Sequence, residues 1–156
     1  MIQLSIEIPD RPGELSRVVG LLADLRIDVK ALYVSCDGPT AGMGHVRMIV
    51  TDPKAAMSAL QDHGLSLREE KVVVIAVEDQ PGGLAAALSA LTAAQINLTY
   101  AYGFVSRIEG RALSVFGVED SARASQTLCE AGFKLVEHST DSEPDLSAYV
   151  GGAWNW

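Results

Sequence analysis

The feature that most constrains this chain is a six-residue pattern, Asp-x-Pro-Gly-x-Leu, which occurs twice at an offset of 69 positions. The first copy begins at Asp10 and the second at Asp79. Each copy follows an apolar run with strand character and precedes apolar residues at helical spacing. In a chain of 156 residues, a duplication of this length predicts two copies of one small unit and not one domain with a tail.

Both copies of the unit carry the same predicted order of elements, β-α-β-β-α-β. In the first copy, alternating apolar residues from Ile2 to Ile8 predict a strand, and apolar residues from Leu15 to Leu25 predict one face of a helix. The other predicted strands are 27–36, 45–51, 65–67, 71–77, 96–105, 111–118 and 133–137, and the other predicted helices begin at 52, 83 and 121. We expect domains at 1–70 and 71–138, followed by a tail at 139–156. Only two or three residues are expected between the last strand of the first repeat and a strand that begins at Lys71.

Composition narrows the class of protein. The apolar fraction of 48% and the charged fraction of 21% are typical of a globular chain. The net charge of −8 and the scattered Lys and Arg residues argue against a nucleic-acid partner. No secretory leader or membrane-length apolar run is visible, so we expect a cytoplasmic protein without a membrane partner. Because each half alone would bury only a marginal core, we expect pairing of the halves or of chains, and hence a homodimer.

The sequence contains few residues in patterns that are typical of metal sites or of catalytic sites. Cys36 and Cys129 match no metal or redox spacing and are interpreted as free thiols. His45, His63 and His138 are far apart and lack partners at metal-ligand spacing. No nucleophile with a paired base is visible. We therefore expect no metal, no cofactor and no catalysis by this chain.

The repeated Asp-x-Pro-Gly-x-Leu pattern is itself suited to binding a small anion. A strand that turns directly into a helix exposes free backbone N–H groups at the helix start, where negative charge is favoured. Gly13 and Gly82 would let a ligand approach this backbone closely. A small carboxylate is therefore a natural ligand. The alternative is purely structural: Asp10 and Asp79 cap the helices, and Pro-Gly turns the chain.

The chain resembles the ACT domain family. The resemblance rests on the two Asp-x-Pro-Gly-x-Leu copies at the first strand–helix junction, and on Ile27-Asp28-Val29 and Ile96-Asn97-Leu98 at the start of the second strand. It covers residues 1 to about 138 as two tandem copies. The family implies an α+β, ferredoxin-like fold with antiparallel sheets and helices on one face. It also implies a regulatory protein that binds a small molecule, usually an amino acid, at an interface between two ACT domains.

The resemblance also implies which residues bind. The ligand loops of the family fall on Asp10, Arg11, Pro12, Gly13, Glu14 and Leu15, and on Asp79, Gln80, Pro81, Gly82, Gly83 and Leu84. The family's Asn at the second strand falls on Asn97, whereas the first copy has Asp28. An amide offers a zwitterion both donors and an acceptor, but an ionised carboxylate offers only acceptors, so we favour Asn97. Gly83 would leave more room in the second loop than Glu14 leaves in the first.

The first copy also resembles the ACT segment of acetolactate synthase regulatory subunits. This suggests a second interpretation, in which the chain is an interaction subunit of a separate amino-acid biosynthetic enzyme such as acetolactate synthase. The aromatic end of the tail, 146–156, would then be the contact. The leading interpretation is an allosteric amino-acid-binding protein, and the sequence does not name the amino acid.

Overall fold

The computed structural model describes residues 1–36, 42–108 and 111–136, with the main chain alone for 105–108. The predicted tail, 139–156, and His138 therefore lie outside the described residues. The chain divides into two units, residues 2–70 and residue 1 with residues 71 onward. Both units have the predicted β-α-β-β-α-β order.

The described residues of the first unit form four strands and two helices. They are β1 (Ile2–Pro9), α1 (Glu14–Asp24), β2 (Val29–Cys36), β3 (Met43–Val50), α2 (Pro53–Asp62) and β4 (Ser66–Lys71). Its strands lie in the order β4-β1-β3-β2. β1 and β2 both pair antiparallel with β3. β1 and β3 are therefore the two interior strands of this unit.

The second unit repeats this arrangement. Its elements are β5 (Val73–Glu78), α3 (Gly83–Ala93), β6 (Leu98–Ile108), β7 (Arg111–Val118), α4 (Ser121–Glu130) and β8 (Lys134–Leu135). Its strands lie in the order β6-β7-β5-β8, with antiparallel pairing of β5 to β7 and β8 and of β6 to β7. The predicted α+β, ferredoxin-like fold is confirmed in both units.

The prediction that the first strand of the second unit begins at Lys71 is wrong. β4 continues to Lys71 and β5 begins at Val73, so Val72 alone lies between the two strands. The sequence from Arg68 to Lys71 is charged at every position and has no apolar alternation that would predict a strand. The extension of β4 depends on pairing with a neighbouring strand, which the local sequence does not reveal.

Each unit has its own hydrophobic core between the sheet and the helices. In the first unit, Leu4 and Ile6 of β1 pack with Val18 and Leu22 of α1 and with Leu60 of α2. All five side chains are at most 1% exposed. The spacing of Val18 and Leu22 on α1 places them on one helix face, as the sequence pattern predicted.

The core of the second unit uses matching positions. Val73 and Ile75 of β5, Leu91 of α3, Phe116 of β7 and Leu128 of α4 form one buried cluster. The intervening residues of the β5 segment, Val72, Val74 and Ala76, are also buried, at 2%, 1% and 7% exposure. The continuous apolar run in the sequence therefore corresponds to a strand that is covered on both faces.

Two further findings concern what the described residues do not contain. Among them, no helix has both the length and the apolar character needed to cross a membrane. The same part of the chain contains no group of three His, Cys, Asp or Glu side chains that could hold a metal ion.

Candidate ligand-binding site

Both Asp-x-Pro-Gly-x-Leu segments form the connection from the first strand of a unit to its first helix. We call residues 10–15 loop one and residues 79–84 loop two. Gly13 and Gly82 directly precede α1 and α3, with φ angles of 95° and 97°. This left-handed backbone is readily accessible only to glycine, which explains why both copies carry Gly at this position.

The helices that start at the two loops lack side-chain caps, unlike the other two helices. Asp52 caps α2 by accepting a hydrogen bond from Ala55 N at 2.9 Å. Asp120 caps α4 by accepting one from Arg123 N at 2.9 Å. By contrast, no side chain in the described part of the chain caps α1 or α3. The alternative in which the aspartates of the loops cap these helices is therefore wrong.

The missing caps leave backbone donors available at the start of α1. The Glu14 N–H donates to Arg11 O at 3.4 Å, and the Arg17 N–H donates to Gly13 O at 2.9 Å. Between them, the N–H groups of Leu15 and Ser16 find no acceptor among the described residues. Unsatisfied first-turn donors of this kind attract anions.

Loop two has the same hydrogen-bond pattern. The Gly83 N–H donates to Gln80 O at 3.1 Å, and the Ala86 N–H donates to Gly82 O at 3.0 Å. The N–H groups of Leu84 and Ala85 again have no acceptor in the described part of the chain. Each loop therefore presents two adjacent backbone donors at a helix start.

A cleft of about 380 Å³ lies against loop one. Ile8 and Pro9 from β1, Val34 and Cys36 from β2, Gly44 from β3 and the loop residues Asp10, Arg11, Pro12, Gly13 and Leu15 line it. Asp10 is held in this wall because its Oδ1 accepts a hydrogen bond from Cys36 Sγ at 3.3 Å. The volume falls within the range of small-molecule sites.

A second cleft, of about 350 Å³, lies against loop two. The loop contributes Asp79, Gln80, Pro81 and Leu84, and the strands contribute Val77, Glu78, Ala112 and Ser114. Glu78 accepts a hydrogen bond from Arg111 Nε at 3.0 Å. Both predicted loops therefore border a cleft within their own unit, and each cleft combines an apolar strand wall with an aspartate.

The two loops differ in charge. The Glu14 side chain is 9% exposed and lies between Arg11 and Arg17, which are 69% and 44% exposed. Hydrogen bonds from Arg11, and secondly from Arg17, hold the pKa of the Glu14 carboxyl below its usual value. Glu14 is therefore ionised at neutral pH. Arg17 was not among the predicted site residues, although its helical i, i+3 spacing from Glu14 is a signal for this contact.

Gly83 does not provide the room that the sequence suggested. A Cβ atom added to Gly83 would overlap the carbonyl oxygen of Glu78. The space that the absent side chain leaves is therefore occupied by main chain. The expectation of a wider second loop is wrong, and its cleft has nearly the same volume as the first.

Asp28 and Asn97 lie apart from the loop of their own unit. Asp28 immediately precedes β2, whereas Cys36 at the end of β2 lines the cleft. β2 contains 8 residues, so its two ends lie about 26 Å apart at the usual rise per residue of a strand. The Asp28 carboxylate accepts a hydrogen bond from Lys30 Nζ at 2.8 Å. Asn97 is exposed and precedes β6 in the same way.

This chain is similar in sequence and in structure to known proteins. The family model described as an ACT domain pair matches residues 1–143. Protein BT0572 from Bacteroides thetaiotaomicron is 30% identical, covers 86% of this chain and 90% of its own, and superposes with a TM-score of 0.79. The regulatory subunit of aspartate kinase from Thermus thermophilus is 20% identical, with coverages of 83% and 91% and a TM-score of 0.61, so it supports the fold alone.

Other comparisons contribute less. The acetolactate synthase small subunit from Thermotoga maritima is 10% identical, the match covers 83% of each chain, and the TM-score is only 0.40. No curated protein sequence matches this chain at a significant level. The family match spans both structural units and both loops. This chain belongs to the family of ACT domain pairs.

Proposed function

We propose that this chain is a regulatory protein that binds an amino acid at its strand–helix loops and performs no catalysis itself. The observation that carries the proposal is the contrast in capping. The same fold caps α2 and α4 with aspartate side chains but leaves α1 and α3 open where each helix borders a cleft. Open helix starts beside clefts of this size are suited to a ligand carboxylate.

The lining of the clefts supports an amino acid over a simple anion. Asp10 and Asp79 supply carboxylates that can accept hydrogen bonds from an ammonium group. The adjoining walls include Ile8 and Val34 in the first cleft and Val77 in the second. The carboxylate, the ammonium group and the apolar side chain of such an amino acid would contact the open backbone N–H groups, the aspartate and the apolar wall, respectively. We therefore propose an apolar amino acid as the effector.

The proposal includes a second ACT domain as the other side of the site. Asn97 and Asp28 each lie too far from the loop of their own unit to contact a small ligand that is bound at that loop. They could reach a bound amino acid only if it sat on the loop of another ACT domain. We propose that Asn97 contributes its amide in this way, and that the protein acts as a cytoplasmic homodimer that controls a separate biosynthetic enzyme.

A thermal-shift screen of the purified protein against the twenty amino acids tests the proposal. Ligand that binds only the folded state stabilises it by about 2.7 kcal/mol at a hundredfold excess over its dissociation constant. We expect one or a few apolar amino acids to raise the melting temperature. If none of the twenty does so, the amino-acid proposal fails and the interpretation as an interaction subunit replaces it.

A further inference from the structure

The two longest stretches of this chain without Asp, Glu, Lys or Arg are residues 80–106 and residues 146–156. The first stretch contains the whole of α3. The second stretch is the end of the tail and contains Tyr149 and both tryptophans of the chain, Trp154 and Trp156. A charge-free segment on the surface of a protein is typical of a contact surface.

The side of α3 that faces solvent carries no charged side chain. Its exposed residues, which we call the α3 face, are Leu84, Ala85, Ala86, Ser89, Thr92 and Ala93. Leu84 is 45% exposed. The Thr92 hydroxyl donates a hydrogen bond to Leu88 O at 2.8 Å within the helix. Because this bond turns the hydroxyl back onto the helix, the Ser89 hydroxyl is the main polar side-chain group of the α3 face.

The other three helices of the described residues each expose two charged residues. They are Arg17 and Asp24 on α1, Lys54 and Asp62 on α2, and Arg123 and Glu130 on α4. At the 69-residue offset, Arg17 and Asp24 correspond to Ala86 and Ala93 of α3. The same place in the fold therefore carries two charges in the first unit and two methyl groups in the second. A helix that lacks a charged face is usually covered by another segment.

The tail leaves the second unit at a point from which it can reach the α3 face. The described chain ends just after β8, which pairs with β5 at the edge of the unit. α4 packs against β8, and α3 packs beside α4. The tail must therefore pass one helix, or about 20 Å, if helix axes lie about 10 Å apart and a helix is about 10 Å wide. Residues 137–145 alone span about 30 Å when fully extended.

The tail has a composition that suits this face. Residues 139–145 contain three acidic side chains and are typical of a solvated linker. Residues 146–156 combine three aromatic residues with Leu146 and Val150. Each large aromatic side chain can bury about 150–250 Å², and small helix residues allow a ring to approach closely. The family match ends at residue 143, so this segment lies beyond the part of the chain that matches the family.

We propose that residues 146–156 dock on the α3 face of the same chain, with their three aromatic side chains packed against its small residues. Neither surface carries a charge, so the contact forms without removing an ion from water. The acidic linker stays in solvent. This contact does not depend on which effector the protein binds.

Tryptophan fluorescence tests the contact, because both tryptophans of the chain lie in the tail. The full chain is compared with a synthetic peptide of residues 139–156. We expect the full chain to emit at shorter wavelength and acrylamide to quench it about twofold less efficiently, because docked rings are shielded from water. Both effects should be independent of protein concentration. Emission equal to that of the peptide would overturn the proposal. A blue shift that is lost on dilution would also overturn it, because the α3 face would then be covered by a second copy.

A charge variant of α3 locates the contact. Ala86→Arg with Ala93→Asp gives α3 the two charges that α1 carries at the matching positions. Both residues are exposed, so the helical circular dichroism should be retained, and we expect the emission and the quenching of the free peptide. As a matched control, Ala55→Asp with Ser58→Arg places the same charges on the exposed side of α2 and should change neither. A blue shift that persists in the α3 variant, or disappears in the control, would contradict docking on the α3 face.

Removal of residues 146–156 tests the same contact without altering α3. The deletion leaves every described residue in place. Backbone amide NMR signals of the labelled full chain and of the shortened chain are compared. We expect the largest differences at Ala85, Ala86, Ser89 and Ala93, with the signals of α1 unchanged. Differences confined to other elements would refute docking on α3, even if the charge variant did not fold.

Discussion

Replacing Phe116 by Ala should destabilise the second unit by about 3–5 kcal/mol, the usual cost of deleting a buried aromatic side chain. Phe116 lies on β7 with 0% exposure and packs in the cluster that contains Ile75 of β5 and Leu91 of α3. Deletion of the ring removes contacts to both the sheet and a helix and leaves a cavity between them. Urea unfolding followed by circular dichroism measures the loss.

The control for this substitution keeps an apolar side chain. Phe116→Leu fills most of the same space and should cost less than about 1.5 kcal/mol. A similar small loss for both variants would mean that residue 116 does not lie at the centre of the core. Because the two units have separate cores, the unfolding of the first unit should change little in either variant.

Replacing Gly82 by Val should destabilise the fold by about 1–3 kcal/mol, the cost of holding a non-glycine residue in left-handed backbone. The φ angle of Gly82 is 97°, and no atom lies within 4 Å of the position of an added Cβ. The cost therefore arises from backbone strain and not from a side-chain clash, and a β-branched residue suffers it most. Thermal unfolding of the variant measures the loss.

Gly20 provides a matched control for backbone strain. It lies in α1, is exposed, and also has no atom within 4 Å of an added Cβ, but its backbone is helical. Gly20→Ala should therefore stabilise the protein by about 0.5–1 kcal/mol through the higher helix propensity of Ala. Equal effects at the two glycines would contradict the left-handed conformation assigned to Gly82.

The repeat in the sequence was sufficient to predict the fold, because strand and helix periodicities recur in the same order in both copies. Leu22 and Leu91, matched from the 69-residue offset, are both at most 1% exposed. Elements whose extent depends on partners were predicted less well. β4 extends through charged residues to Lys71, and β8 is limited to Lys134–Leu135, because strand pairing and not local pattern sets their ends.

The candidate site was predictable in part. The local pattern around Gly13 and Gly82 identified both open helix starts. The strand walls, which include Val34 and Ala112, could not be predicted, because they depend on which strands the fold places beside each loop. The sequence also could not show that arginines hold the Glu14 carboxylate, or that the main chain of Glu78 occupies the space beside Gly83, because both contacts depend on the three-dimensional structure.

The central claim is that an amino acid binds at the open helix starts. The most direct test is an NMR titration of the labelled chain with the amino acid that gives the largest stabilisation in the thermal screen. We predict saturable shifts of the backbone amides of Gly13, Leu15 and Ser16, with shifts at Leu84 and Ala85 at equal or higher concentration. Saturable binding that leaves all of these amides unchanged would contradict the account, because the ligand would then be held elsewhere.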